Sequence, residues 1–217
     1  IIFRMKILCV GYRDWAINII DSFDVTIKIL SKEEWDRHHF IFDKFYIFIG
    51  WSWIIDNDFV AHGNCLCIHP SNLPSYRGGS PIQNQVIDGL ESTSVTLFKM
   101  NNKLDAGPIF DKVQISLKGY LNDIFSEIEK ASVILIKRLI TSLENNNLNF
   151  YDQDDELSSY CKRRKPEDSI ITLSDIENMT AKQVYNMVRC LQNPYPPMII
   201  KLKDNTKVIL KQVDYEN

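Results

Sequence analysis

The sequence of 217 residues has no apolar run of bilayer length and no marked excess of charge of either sign. Its apolar opening, IIFR, is too short for a signal peptide or a membrane span, so we expect no membrane contact. With 25 Lys and Arg against 28 Asp and Glu, the net charge of −3 argues against a broad surface for nucleic acid. Internal repeats are also lacking. Since 45% of the residues are hydrophobic and 24% charged, we expect an ordinary soluble globular protein.

The cysteines do not form a disulfide framework, because there are five of them and their spacing is irregular. Cys65 and Cys67 lie two residues apart in an apolar run, where both side chains share one strand face and make a poor zinc site. We therefore expect reduced thiols, no metal and a cytoplasmic location.

Apolar strand-like segments alternate with helical segments, a pattern that predicts an α/β fold with a mostly parallel open sheet. The predicted strands are 5–11, 25–30, 44–51, 64–69, 94–100 and 108–117, and the predicted helices are 12–23, 82–88, 120–143 and 180–191, with a short helix or turn at 56–62. A hairpin that turns at Asp204-Asn205 follows. We divide the chain into a core, 5–160, and a small C-terminal extension of helix and hairpin, 161–217. In such folds, function lies at the carboxyl edge of the strands.

The stretch CLCIHPSNLPSYRGGSPIQ places His69 at the end of a predicted buried strand and then breaks the chain with prolines and glycines. Histidine transfers protons near neutral pH, so His69 is a candidate catalytic residue. Taken alone, it could equally be a structural histidine that caps the strand, and Gly78-Gly79 could be only a tight turn. Asp105, in the turn LDAG, is either a partner of His69 or only an Asx-type turn residue before Gly107.

The segments HPSNLPSYRGGSPIQNQVIDG and TLFKMNNKLDAGPI resemble the catalytic region of the folate-dependent formyltransferases. The resemblance is strongest from Cys67 to Ile109, and it extends more weakly to the late segments RRKPEDS and VRCLQNPYP. It implies a Rossmann-like core and 10-formyltetrahydrofolate as co-substrate. It also implies that His69 transfers the proton, while Asp105 orients the imidazole and biases its charge.

Position 67 departs from the family, whose members have asparagine there as a donor to the developing oxyanion. The Cys67 thiol is a weak donor, and losing an oxyanion donor can cost roughly 10²–10³ in rate. Either Asn72 supplies the missing donor, or the reaction depends on His69 itself. A third alternative is that Cys67 acts as a nucleophile and forms a formyl thioester.

The resemblance also implies where folate binds, at backbone groups after the third strand, in the catalytic loop and before the catalytic aspartate. The matching residues are Ser52, Trp53, Ile54, Gly79, Asn101, Asn102, Lys103 and Leu104. Trp53 could pack on the pterin, although a tryptophan after an apolar strand is more often part of the core.

Among the folate-dependent formyltransferases, the late segments resemble the nucleotide-sugar N-formyltransferases most. This resemblance implies that the acceptor is a TDP- or UDP-linked 4-amino-4,6-dideoxyhexose, used in O-antigen and lipopolysaccharide biosynthesis. Methionyl-tRNA formyltransferases carry a further C-terminal domain that binds nucleic acid, and we expect none here. The alternatives are a 10-formyltetrahydrofolate hydrolase and a degenerate relative that binds nucleotide sugar without turnover. We also expect a homodimer that pairs through the hairpin.

The residues predicted to bind the acceptor are Asn72, Arg77, Arg163, Arg164 and Tyr195. The arginines of KRRK could meet a diphosphate, because guanidinium groups suit phosphate oxygens, or they could form a solvated basic surface. Tyr195 could stack on a base or sugar, or fill the core beneath the hairpin.

Overall fold

The structure is a computed structural model that describes residues 7–23, 27–39, 41 and 43–216. Its strands are β1 (Ile7–Val10), β2 (Ile27–Ile29), β3 (Phe45–Ile49), β4 (Asn64–His69), β5 (Arg77–Gly78), β6 (Ser92–Lys99), β7 (Ile109–Ser116), β8 (Tyr160–Cys161), β9 (Ile170–Thr172), β10 (Met198–Lys201) and β11 (Lys207–Leu210). Its α-helices are α1 (Asp14–Asp21), α2 (Lys32–Arg37), α3 (Asn57–His62), α4 (Pro81–Ile87), α5 (Leu121–Glu144), α6 (Leu173–Glu177) and α7 (Ala181–Cys190).

The central sheet has six strands in the order β2-β1-β3-β4-β6-β7. The first four are parallel, and β6 and β7 are antiparallel to their neighbours. The predicted α/β fold with a mostly parallel sheet is confirmed. Residues 5, 6, 25 and 26 of the predicted strands lie outside the described part of the chain.

The central strands are buried on both faces, because successive side chains alternate between two hydrophobic clusters. On β3, Ile47 and Ile49 belong to the larger cluster, whereas Tyr46 and Phe48 belong to the smaller one. Helix α5 covers the larger cluster with the stripe predicted from its sequence. That stripe is buried throughout and consists of Ile124, Ile128, Leu135, Leu139 and Leu143.

The C-terminal extension shares the larger cluster, to which α7 contributes Met187 and Val188. The predicted hairpin of β10 and β11 is confirmed, with Asn205 in the left-handed region at φ 65°. Helices α2 and α6 and strand β9 were not predicted from the sequence, because they are too short to display a clear period. Strand β9 pairs with β10 and makes the hairpin a three-stranded sheet.

The extension also contacts the loop that follows His69, because β5 in that loop pairs in parallel with β8. The predicted boundary after residue 160 therefore falls inside a strand, and the division into core and extension stays a prediction. In the described residues, no helix is both long and apolar enough to cross a membrane.

Candidate active site

His69 is the last residue of β4, at the carboxyl edge of the parallel part of the sheet. The loop that follows is fixed by side chains of neighbouring elements. Gln85 on α4 donates to the carbonyl of Pro70 (2.9 Å), and the Thr96 hydroxyl donates to the carbonyl of Ser71 (2.7 Å). The prolines and glycines of the loop thus form an ordered turn beside a strand end.

The imidazole of His69 is 6% exposed and is held between a carbonyl and a carboxylate. Its Nε2 lies 2.9 Å from the carbonyl oxygen of Tyr76, and its Nδ1 lies 3.6 Å from Oδ2 of Asp105. Because a carbonyl oxygen only accepts, Nε2 carries a proton. Nδ1 is then the nitrogen that can take a second proton, and Asp105 would stabilise the resulting imidazolium.

Asp105 reaches His69 because the loop after β6 folds back over the sheet. Lys99, at the end of β6, lies opposite Leu66, three residues before the histidine. Asp105 itself has a left-handed backbone (φ 50°), and its Oδ2 accepts from the Gly78 amide at 2.8 Å. The pairing of His69 with Asp105 that the sequence suggested is therefore present.

Gly107 of the LDAG turn is required by close approach of the backbone. A Cβ at this position would lie 1.7 Å from the carbonyl oxygen of Lys99. The turn is further fixed by Gln153, whose Nε2 donates to the carbonyls of Asp105 (2.9 Å) and Gly107 (2.7 Å). Backbone packing thus positions the carboxylate.

Cys67 is half-buried two residues before His69 on β4, on the same face of that strand. Burial raises the pKa of its thiol well above the usual range, and the nearby Asp105 carboxylate raises that pKa further. A thiolate is therefore disfavoured, which argues against the thioester alternative. Asn72, the suggested substitute donor, is exposed, and its amide oxygen accepts from Nζ of Lys112 at 2.9 Å. The structure describes no contact between Asn72 and His69, so its role as a donor stays a prediction.

The residues predicted to contact folate lie in two surface loops and in the loop that follows His69. After β3, the Ser52 hydroxyl accepts from the hydroxyl of Tyr12 (2.7 Å), while Trp53 packs against the Tyr12 ring, with centroids 4.6 Å apart. Trp53 is 39% exposed and Ile54 is 96% exposed, so neither is a core residue.

The second loop, before Asp105, is also open to solvent. Its members Asn101, Asn102, Lys103 and Leu104 are all exposed. In the loop that follows His69, the Gly79 amide donates to the carbonyl of Cys161 at 3.1 Å. Folate contacts at all these positions stay predictions.

Arg77, predicted to bind the acceptor, has a buried guanidinium with four described hydrogen bonds. It is 1% exposed and donates to Gln153 Oε1, the Tyr160 hydroxyl and the Asp155 carboxylate, at 2.8 to 3.1 Å. These hydrogen bonds connect the loop that follows His69 to the chain around β8. A substrate contact by Arg77 is not among them and stays a prediction.

Arg163, Arg164 and Tyr195 do lie near the catalytic loop. Arg163 packs tightly on Gly79, because a Cβ added to Gly79 would lie 2.5 Å from the Cβ of Arg163. The backbone amide of Arg164 donates to the Ser80 hydroxyl at 3.1 Å. Arg164 and Tyr195 line one cavity of about 50 Å³. The basic run is therefore packed against the site, although Arg163 itself stays exposed.

Two residues of this site gave no signal in the sequence. Tyr76 acts through its backbone carbonyl, which no side-chain pattern indicates, and Gln153 comes from a polar loop far along the chain. In the described residues, no group of three His, Cys, Asp or Glu side chains is close enough to hold a metal ion.

Comparisons with known proteins identify the family and the fold of the chain. Residues 31–132 match the family model described as formyl transferase. The bifunctional polymyxin resistance protein ArnA of Wigglesworthia glossinidia brevipalpis is 31% identical over 153 residues, which cover 69% of this chain and 23% of ArnA. The chain belongs to the folate-dependent formyltransferase family. It spans less than half the length of its curated relatives, 23% of ArnA and 43% to 47% of two methionyl-tRNA formyltransferases.

Three solved structures of formyltransferases match over 85% to 99% of this chain. A methionyl-tRNA formyltransferase from Clostridium thermocellum is 26% identical with a TM-score of 0.74, over 94% of this chain and 96% of that one. A 4-N formyltransferase from Francisella tularensis is 20% identical with a TM-score of 0.75, over 99% and 100%. An N-formyltransferase from Helicobacter canadensis, in complex with folinic acid and dTDP-3-aminofucose, is 18% identical with a TM-score of 0.65, over 85% and 80%. The predicted Rossmann-like formyltransferase fold is confirmed.

Proposed function

We propose that this protein transfers a formyl group from 10-formyltetrahydrofolate to the amine of a nucleotide-linked amino-dideoxy sugar. The observation that carries formyl transfer is the pairing of buried His69 with Asp105 beside the Gly78 amide. Attack by the acceptor amine forms the new C–N bond, and His69 Nδ1 takes the proton that the amine loses. The bond from the formyl carbon to the folate nitrogen then breaks, and that nitrogen takes the proton back from His69, which returns to its neutral form. The site excludes water from the imidazole, which strengthens its interaction with Asp105.

The basic run beside the catalytic loop supports a nucleotide sugar as the acceptor. The backbone and Cβ of Arg163 pack on Gly79, so its exposed side chain starts beside the loop whose Gly78 amide contacts Asp105. Arginine suits phosphate oxygens, and one small cationic region fits a single diphosphate. The full-length match to the 4-N formyltransferase fold agrees with a TDP- or UDP-4-amino-4,6-dideoxyhexose for surface glycans.

Methionyl-tRNA is the second candidate acceptor, because the Clostridium thermocellum enzyme is 26% identical over nearly the whole of both chains. The net charge of −3 argues against it, since binding of a nucleic acid depends on many phosphate contacts.

The test is mass spectrometry on a panel of amines incubated with 10-formyltetrahydrofolate. The panel contains TDP- and UDP-linked 3-amino and 4-amino dideoxyhexoses and initiator methionyl-tRNA, and His69→Asn is the control. We expect a gain of one formyl group on one nucleotide sugar, lost in the variant. Formylation of the tRNA alone would refute the sugar acceptor, and release of folate with no acceptor would indicate a hydrolase. Folate binding without any product would indicate the degenerate relative.

We also propose a homodimer that pairs through the hairpin. Val208 and Ile209 on β11 are 42% and 53% exposed, and β11 is an edge strand of its sheet. Sedimentation analysis should give a dimer that Ile209→Lys dissociates; a monomeric wild type would refute this proposal.

A further inference from the structure

Arg13 is an arginine held in place by neutral groups. It follows β1, and its guanidinium carbon lies 5.1 Å from the ring centroid of Tyr12 and 5.3 Å from that of Tyr195. Its Nη2 donates to the Ser52 hydroxyl at 3.2 Å. Among the described residues, no carboxylate forms a salt bridge with Arg13. Aromatic faces attract a cation without neutralising it, so the guanidinium keeps its charge for another partner.

A second observation comes from a cavity that is lined by Tyr195, the residue whose ring lies against Arg13. The cavity has a volume of about 50 Å³, and Tyr195 forms part of its wall together with Gln83 and Arg164. Gln83 is only 3% exposed, and its Nε2 has no hydrogen-bond partner. The buried Nε of Arg164 also lacks one. A buried donor without an acceptor costs about 1–3 kcal/mol, so these two N–H groups are suited to a ligand that brings acceptors.

Tyr195 connects the two observations, because Arg13, Arg163 and Arg164 all lie around it. Burial raises the pKa of its hydroxyl, while the positive charges of Arg13 and Arg163 lower that pKa. Arg164 shares the cavity wall with it. The nearby Asp168 carboxylate accepts instead from the backbone amide of Lys165, at 2.7 Å. The region thus collects positive charge and free donors without a neutralising carboxylate in the described contacts.

The position of Arg13 relative to His69 follows from the sheet. Strands β1, β3 and β4 are parallel neighbours, so Arg13, Ser52 and His69 all come from the same edge. A strand spacing of about 4.8 Å places the ends of β1 and β4 roughly 10 Å apart. One sugar ring and its first phosphate can bridge such a distance, with the amine at His69.

We infer that Arg13, Gln83 and Arg164, grouped around Tyr195, form a subsite for the phosphate of the amine acceptor. This inference rests on the proposed function, and it names Arg13 as a binding residue that determines the acceptor class. An acceptor without phosphate would leave the donors of Gln83 and Arg164 unpaired, so the subsite selects phosphorylated amines.

Calorimetric titration of the full chain with TDP, UDP and inorganic pyrophosphate tests the subsite without requiring turnover. We expect Arg13→Gln and Gln83→Leu to weaken binding of all three at least about tenfold, because each removes donors to the anion. Arg13→Lys should recover part of the loss, since it keeps the charge without the planar fork. The matched control is Arg37→Gln, at the exposed end of α2, which should bind like the wild type. Far-UV circular dichroism checks the fold of each variant.

The outcomes separate this inference from the proposed function. If Arg13→Gln and Gln83→Leu bind TDP and pyrophosphate as Arg37→Gln does, the subsite is refuted even if formyl transfer occurs. If they bind more weakly but the wild type formylates no amine, the subsite stands and the proposed reaction fails. A short 3′-phosphorylated RNA distinguishes the source of the phosphate. Competition by TDP, but not by this RNA at equal concentration, supports a nucleotide sugar, and the reverse overturns that assignment.

Discussion

Replacing Arg77 distinguishes a structural arginine from one that binds substrate. Its guanidinium is 1% exposed and donates to Gln153, Tyr160 and Asp155. Arg77→Met keeps most of the side-chain volume but leaves the Gln153 and Tyr160 oxygens without this donor. Hydrogen bonds to a charged group contribute about 1.5–3 kcal/mol each. The pair with Asp155, whose side chain is 62% exposed, adds less than about 1 kcal/mol.

Because the methionine gains apolar burial, we expect a net loss of about 3 kcal/mol in the free energy of unfolding. For a chain of this size, that corresponds to a fall in Tm of roughly 6–12 °C. Gln153 also holds the carbonyls of Asp105 and Gly107, so kcat should fall as well. Urea unfolding and formyl-transfer kinetics measure the two effects.

Arg138→Met is the matched control, because Arg138 is 53% exposed and pairs with Asp111 on the surface. We expect it to cost less than about 1 kcal/mol and to leave kcat unchanged. If Arg77→Met raised KM for the acceptor with unchanged stability, the reasoning would be refuted and Arg77 would be a substrate contact, as the sequence suggested.

Three further predictions follow from the site and the core. Cys67→Asn should raise kcat by about 10²-fold, because an amide is a stronger oxyanion donor than a thiol, whereas loss of activity would indicate a nucleophilic cysteine. Gly107→Ala should lower kcat at least about 10²-fold, since its Cβ would lie 1.7 Å from the Lys99 carbonyl oxygen and must displace the Asp105 turn. Gly89→Ala, where the space is open at φ +88°, should cost only about 1–2 kcal/mol of stability and keep its activity; equal losses in both variants would contradict the close-approach argument. Finally, burial raises the pKa of the thiols of Cys9, Cys65 and Cys190 from 9.0 to about 12. The unfolded chain therefore loses these protons first, so the stability that the neutral thiols contribute is complete below pH 9 and is lost as the pH rises from 9 to 12, by about 1.4 kcal/mol per pH unit for each thiol. Urea unfolding at pH 7 and pH 10 should show a smaller alkaline loss for Cys9→Ala than for the wild type, and an equal loss would refute this account.

The sequence alone determined the elements whose physical signal is local. The apolar strands, the buried stripe of α5 and the turn at Asp204-Asn205 each follow from side-chain period or turn chemistry within about one element, and the structure agrees with them. His69 at a strand end and the loop with Asp105 were also recognisable in the sequence, because their residue types and family pattern are local.

Only the tertiary structure decided the geometry in which these residues meet and the partners that the sequence did not suggest. The backbone of loop 100–108 folds back over β4 and brings Asp105 to within 3.6 Å of His69. Arg77 has a structural role because its guanidinium donates to the side chain of Gln153, which lies 76 residues away in the sequence. The position of Arg13 depends on Tyr195, which comes from the opposite end of the chain. Contacts between residues so far apart depend on the packing of the whole core, which no local period encodes.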